Sequence, residues 1–421
     1  MDREVFVYID LVGVSVLVGR LWSRVRNGRE SASFEYDRTW LENPQRFALE
    51  PALTLTPGTF HASSERKLFG AFGDSAPDRW GREIMSRNES QCARHKGETP
   101  RTLFESDFLL LVDDEARQGA LRFKIDPEGA FLTTGGQPRI PPLVDLQRLL
   151  SATERLEEDR ESDEDVRLLI APGSSLGGAR PKACVRDNDG HLALAKFPSR
   201  KDSFNVVLWE GVALSLAKKA GIDVPDWSIE KVGGNPVLLI RRFDRVKSER
   251  LPFLSAMSML GASDRETRSY MEIADALKQY GAETKTDLIH LWRRIVFNVL
   301  VSNTDDHLRN HGFLYAGHKG WRLSPAYDLN PTPQNVRPRF LSTTIGLDDP
   351  ATSIDHALET AEYYGLKPAR AKSIILEVAC AVSDWQKEAA RLGIAARDIK
   401  RMESAFVHED LEKALRLTPG E

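Results

Sequence analysis

Cysteine is scarce: three occur in 421 residues, Cys92, Cys184 and Cys380, far apart and in no paired spacing. That excludes a disulfide framework and the paired-cysteine spacing of a structural zinc site, and it fits a reducing compartment. Long apolar runs are missing as well. A run such as 108–112 is far too short to span a bilayer. Charge of one sign is not in excess either, since 58 Lys and Arg against 62 Asp and Glu leave a net charge of −4. Any contact with nucleic acid must therefore come from a local basic patch or from a partner. The N-terminal Met1-Asp2-Arg3-Glu4 passes straight into a strand-like run, without the pattern of a signal peptide. There is no internal repeat and no low-complexity tail. A cytoplasmic protein with no membrane partner is expected.

What is present suffices for a large core. With 41% hydrophobic residues over this length, two or three domains are expected. The first 36 residues read as β-structure: Val5-Phe6-Val7-Tyr8-Ile9 and Val14-Ser15-Val16-Leu17-Val18 are β-branched and aromatic, with Gly13 between them, and a third strand covers 31–36. Residues 68–87 turn helical, with Asp74-Ser75-Ala76-Pro77-Asp78 as the helix entry. No catalytic cluster is visible in this first third, so its role is read as structural or interactive. Residues 153–166 are crowded with Asp and Glu and read as a solvated helix face or a linker, with a domain boundary nearby.

Four features come next, in order. Gly173-Ser174-Ser175-Leu176-Gly177-Gly178-Ala179-Arg180-Pro181-Lys182 is glycine-rich, so its backbone N–H groups can approach an anion closely. It is not a Walker A loop, because Ala179-Arg180 stand where Lys-Ser/Thr is required, and it lacks the Rossmann glycine spacing. Lys196 closes a strand-like alternation over 191–197, and a helix over 205–220 carries one acidic residue, Glu210, in an otherwise apolar stretch. A strand pair then runs into Arg241-Arg242-Phe243, where backbone groups and an aromatic ring could hold a base.

The fourth feature is the densest. A helix over 286–301, apolar all round in its second half, reads as buried and delivers Asn303-Thr304-Asp305-Asp306-His307-Leu308-Arg309-Asn310-His311. Asp305 and Asn310 stand five apart, the separation of base and metal ligand in a protein-kinase catalytic loop. Asp306 is only four from Asn310, which selects Asp305. Downstream, Asp328 offers a further carboxylate before a Pro331-Thr332-Pro333 break, and amphipathic helices fill 354–415. Phosphoryl transfer needs a cation on the phosphates, hard oxygen ligands for a metal and a carboxylate to take the acceptor's proton. The chain supplies these in kinase order. A metal hydrolase using His307 and His311 four apart would need a helix through the loop and a glutamate base. A small-molecule phosphotransferase shares the same loop, and a kinase-fold co-repressor acting by interaction alone is the third alternative.

Ser-Ser-Leu-Gly-Gly-Ala-Arg-Pro-Lys at 174–182, Arg-Phe-Asp-Arg at 242–245, Asn-Thr-Asp-Asp-His-Leu-Arg-Asn at 303–310 and Ala-Tyr-Asp-Leu-Asn-Pro at 326–331 resemble the motifs of HipA-type toxin kinases of bacterial type II toxin–antitoxin systems. The N-terminal Val18-Gly19-Arg20-Leu21-Trp22 and Phe34-Glu35-Tyr36-Asp37 are similar to their N-terminal subdomain. The resemblance implies an α+β, protein-kinase-like two-lobed fold. Its β-rich lobe would comprise a HipA-type N-terminal subdomain, 1–150, and a nucleotide-binding part, 151–250; a largely helical lobe would span 251–421. It implies ATP and Mg²⁺ as cofactors, with Asp305 as catalytic base and Asn310 and Asp328 as metal ligands. Gly177, Gly178, Ala179, Arg180, Lys182, Lys196, Glu210, Arg241, Arg242, Phe243, His307, Asn310 and Tyr327 would form the nucleotide site, Glu210 as the ion-pair partner of Lys196. Ser175 corresponds to the family's autophosphorylated serine, with Ser174 beside it as the other candidate. The partners implied are a helix-turn-helix antitoxin, DNA through that antitoxin alone, and a protein substrate of the aminoacyl-tRNA synthetase kind.

Overall fold

The structure, a computed structural model, describes residues 2–63, 66–132, 140–173, 178–247, 249–264, 266–347 and 351–418. The chain divides into two compact units: Met1–Lys201 with Glu230–Leu254, and Asp202–Ile229 with Ser255–Glu421. Ser174, Ser175, Leu176 and Gly177 lie outside the described residues, so the serine expectation and the first glycine of the phosphate loop are not placed.

The first unit is built on two larger antiparallel sheets and a small hairpin, Arg245–Val246 with Glu249–Arg250. Strands β1 (Asp2–Leu11), β2 (Val14–Arg26), β3 (Arg29–Tyr36), β4 (Thr59–His61) and β5 (Leu121–Lys124) give the order β4–β3–β2–β1–β5. Alternation decides which face is inward: Val5, Val7 and Ile9 are buried, as are Val18 and Leu21 on the neighbouring strand. Phe34, Phe69, Phe72 and Phe123 pack edge to face on that side. The expected helix over 68–87 is two pieces, Gly70–Gly73 and Arg79–Lys96, because Pro77 interrupts the ladder between them.

Strands β6 (Lys182–Arg186), β7 (Leu192–Lys196), β8 (Trp227–Val232) and β9 (Asn235–Arg241) form the other sheet, in the order β6–β7–β9–β8. The acidic stretch at 153–166 belongs to a helical hairpin inside this unit, Leu146–Glu157 followed by Asp163–Ile170. Its apolar face, Leu149, Leu150, Leu156, Val166 and Leu169, packs on the sheet with Trp80 and Ile84. Its carboxylates are taken up by arginines: Asp165 pairs with Arg155, and Glu161 with Arg87.

The second unit is mostly helical and surrounds the helix Thr284–Leu300, in which Leu288, Leu291, Trp292 and every residue from Ile295 to Leu300 are buried. That is the all-round burial the sequence predicts. The helix Val206–Lys219 belongs to this unit. Asn205 caps it by accepting the Leu208 N–H at 3.0 Å, and Trp209 lies against Trp385 and Phe406. Glu210 is therefore in the second unit, whereas the strand that ends at Lys196 is in the first.

Candidate functional site

The glycine loop and its lysines lie in the first unit. Gly178 takes φ +101°, open to glycine and strained for other residues, and a Cβ built there would fall 2.8 Å from the Lys182 Nζ. The ammonium thus lies against the bare Cα. Lys182 faces Lys196 directly across the β6–β7 pair, so their side chains share one face. Ala179 and Arg180 are exposed.

The first third of the chain shapes this loop, which sequence reasoning missed. Asp78 stands at the N-cap of Arg79–Lys96 but makes no cap bond. Its Oδ2 accepts instead from the Gly178 backbone N–H at 2.6 Å. Trp80 adds a backbone bond to the Gly178 carbonyl at 3.3 Å and donates its Nε1–H to the Lys182 carbonyl at 2.9 Å. The Pro77-Asp78 pair signals only a helix start, and no local pattern announces a partner a hundred residues away.

At the end of β9, Arg241 is half-buried and opposite Ala193. Arg242 points inward: its guanidinium holds Asp244 through Nε at 2.8 Å and Nη2 at 2.5 Å, and donates to the carbonyls of Ala116 and Arg117. Its backbone N–H is taken by the Leu192 carbonyl. Burial alone would raise the Asp244 carboxyl, but the guanidiniums of Arg242 and Arg245 outweigh it and hold the group far below the usual carboxylate range. The Arg242 side chain is an internal ion pair. Phe243 packs on Phe253, with ring centroids 6.2 Å apart.

The catalytic-loop residues lie in the second unit. After Leu300 the chain reverses through Ser302, at φ +51°, whose Oγ donates to the Ala405 carbonyl at 2.8 Å. This reversal brings Asp305 to the surface with its side chain half exposed. One Asp305 oxygen meets Arg337 Nη1 at 3.1 Å, a solvated pair that holds it weakly. Asn310 donates its Nδ2 to the Asp305 carbonyl at 2.8 Å, which leaves Oδ1 as the side-chain atom that could hold a cation. His307 heads the short turn Leu308–Asn310, and its buried Nδ1 has no partner among the described residues. Asp328 takes φ +56°, and Asn330 Nδ2 donates to its Oδ1 at 3.1 Å. Tyr327 braces the turn through its hydroxyl to the Arg309 carbonyl at 2.7 Å.

Asp306 has a different task from its neighbour. It is buried, and it accepts the Tyr270 hydroxyl at 2.5 Å and the Ser342 N–H at 2.7 Å. Burial pushes its carboxyl up to about 6 against these bonds, which favour the anion. His311 is buried too, with Nε2 at 3.1 Å from the Asp306 carbonyl, and burial pulls its imidazole down to about 3. No α-helix runs through 307–311, only the 3-10 turn Leu308–Asn310, so the two histidines do not form the four-apart pair that a zinc site on a helix requires. The two neighbouring carboxylates are thus divided, Asp305 half exposed and Asp306 inside.

Two family models match the chain. The HipA-like C-terminal domain spans residues 174–385, and the HipA N-terminal domain spans 12–101. The chain belongs to the HipA family. Its curated relatives include a Sinorhizobium fredii protein named "Putative kinase Y4mE", 24% identical, with 91% of this chain and 86% of that protein covered. A Haemophilus influenzae protein named "Putative kinase" is 26% identical over 38% of the chain and 54% of its own length. Among solved structures, the HipA of a Shewanella oneidensis HipA, HipB and operator DNA complex matches with a TM-score of 0.67 at 16% identity, over 98% of this chain and 96% of that one. At that identity the likeness shows the fold, which is kinase-like and mixed α/β, with sheets toward the N-terminus and helices toward the C-terminus.

Proposed function

We propose that this HipA-family protein is an ATP- and Mg²⁺-dependent serine/threonine protein kinase and the toxin of a type II toxin–antitoxin module. The observation that carries the reading is the pair on one loop: Asp305, its carboxylate half exposed and weakly held, and Asn310, turned so that Oδ1 is the side-chain atom that could hold a cation. In this reading Asp305 accepts the acceptor hydroxyl and takes its proton as the oxygen attacks the γ-phosphorus and the bond to ADP breaks. Asn310 Oδ1 and an Asp328 oxygen would hold Mg²⁺, which neutralises phosphate charge when bound. Lys196, Lys182 and the glycine loop are assigned to the phosphates, and Glu210, as the family's partner of the strand lysine, His307 and Tyr327 are the further residues assigned to the nucleotide. At the base-binding linker, Arg241, Arg242 and Phe243 are assigned to adenine, Arg242 through its carbonyl because its N–H is taken by Leu192. Ser175 is the proposed site of self-modification, its added charge displacing the loop.

The partner proposed is a HipB-like helix-turn-helix antitoxin, with DNA reached only through it, in keeping with the company the Shewanella protein keeps. The acceptor is proposed to be a translation factor such as an aminoacyl-tRNA synthetase. No described helix is long and apolar enough to cross a membrane. The test is purified protein with γ-labelled ATP, Mg²⁺ and host lysate. Label on a protein, lost in Asp305→Asn, supports the reading. Label only on small molecules favours a phosphotransferase, and no label in the parent protein favours a co-repressor that works by binding alone. Phosphopeptide mapping that places the internal phosphate away from Ser175 would overturn that assignment.

A further inference from the structure

A chain of hydrogen bonds runs in one direction beneath the catalytic loop. The Asn330 backbone N–H donates to Asn303 Oδ1 at 3.0 Å, and Asn303 Nδ2 donates to Asn298 Oδ1 at 3.1 Å. Asn298 Nδ2 donates to the Tyr270 hydroxyl at 2.8 Å, which donates to Asp306 Oδ2 at 2.5 Å. Tyr270, Asn298, Asn303 and Asp306 are each 2% exposed or less. Buried polar side chains are costly unless each bond is made, so a core carrying four in series is set to one arrangement.

The ends of this chain identify its use. At one end, Asn330 also holds Asp328 through its Nδ2. At the other, Asp306 is the neighbour of Asp305, and its second oxygen takes the Ser342 N–H while Ser342 Oγ donates to the Thr304 carbonyl at 2.8 Å. Asp305 and Asp328 lie on separate segments, each in an irregular stretch without a strand ladder of its own. Asp328 is moreover in the left-handed region, which a residue with a side chain occupies uncommonly.

We propose that Tyr270, Asn298, Asn303 and Asp306 form a buried relay that fixes the catalytic loop relative to the Asp328 segment. They are positioning residues that act through Asp305 and Asp328 without touching a reactant. This rests on the kinase reading above, in which both carboxylates serve one phosphoryl transfer. That reaction is carried by placement, and a misplacement of about 1 Å can cost about a hundredfold in rate.

Tyr270→Phe tests the relay because it removes two bonds and keeps the ring. The parent protein is assayed first for transfer from ATP, then Tyr270→Phe, Asp306→Asn and the double variant, all well below their unfolding temperatures. Ile375→Ala, a core substitution in the same unit at a side chain that makes no hydrogen bond, is the stability control. The expected result is a fall in kcat of about tenfold or more with a KM for ATP within about twofold, and a double variant no worse than the poorer single one. Ile375→Ala should lower the unfolding temperature and keep kcat. A folded Tyr270→Phe with parental kcat overturns the relay, as does an Ile375→Ala that loses as much kcat at matched stability. A parent protein that transfers no phosphate overturns the kinase reading and the relay with it, so the two failures are told apart at the first step.

Discussion

Asp78 accepts the backbone N–H of Gly178 at 2.6 Å, joining a helix entry to the glycine loop across a hundred residues of chain. The bond is charge-assisted, and the Trp80 contacts hold the same loop from the same helix start. Removing the carboxylate by Asp78→Ala should speed hydrogen exchange at the Gly178 amide by about tenfold or more, since a bond to a charged group is worth about 1.5–3 kcal/mol. Asp78→Asn, which keeps an acceptor without the charge, should fall between. Exchange at the parental rate in Asp78→Ala would show that the bond does not hold the loop.

In the proposed kinase reading Asn310 and Asp328 hold the metal and Asp305 takes the proton, and titration separates the roles. Asn310→Ala and Asp328→Ala should each raise the Mg²⁺ concentration for half-maximal nucleotide binding by about tenfold or more. Asp305→Asn should leave it nearly unchanged while transfer is lost. Calorimetric titration with ATP at several Mg²⁺ concentrations reads this out, and an Asp305→Asn shift as large as the others would merge the assignments.

Inside the first unit, Asp244 is the shared carboxylate partner of Arg242 and Arg245. Asp244→Ala strands two buried guanidiniums and should destabilise that unit by about 3–5 kcal/mol. Because the folded carboxyl is held below its unfolded value, the contribution is present above about pH 4 and is lost as pH falls below it. Urea denaturation of the full chain at neutral pH measures the loss; a value under about 1 kcal/mol would mean that the guanidiniums find other acceptors.

His408 caps the helix Glu409–Leu415 by accepting the Leu411 N–H on Nδ1, while Nε2 meets the Leu300 carbonyl at 3.1 Å. Both contacts suit the neutral ring, and burial pulls its pKa down to about 4. An unfolded histidine takes a proton near pH 6.5, so stability from this group is full above that value and falls as pH drops toward 4. The slope reaches about 1.4 kcal/mol per pH unit. Asp306, pushed up to about 6, works in the opposite sense over part of that range, so the comparison is between variants. His408→Gln should flatten the acid side of the unfolding profile, and superimposable profiles would remove His408 from the account.

Much of the candidate site was legible in the residues themselves. An apolar helix over the 290s must be buried, and the separation of Asp305 from Asn310 is a local distance the chain carries in its own spacing; that most of the polar segment after the helix is buried too, with Asp305 half exposed, was not legible there. The strands ending at Lys196 and Arg241, and the break after Asp328, come from side-chain periodicity and proline. Tertiary packing decided the rest. It turned Arg242 inward onto Asp244, placed the helix of Glu210 in the second unit beside Trp385 and Phe406, made the acidic stretch a packed hairpin, and set Asp78 on Gly178. It also gave Asp306 to Tyr270 and left Asp305 in solvent. The physical reason is that periodicity records how a residue sits in its own element, whereas a buried polar group takes its partner from whichever segment the fold brings within about 3 Å.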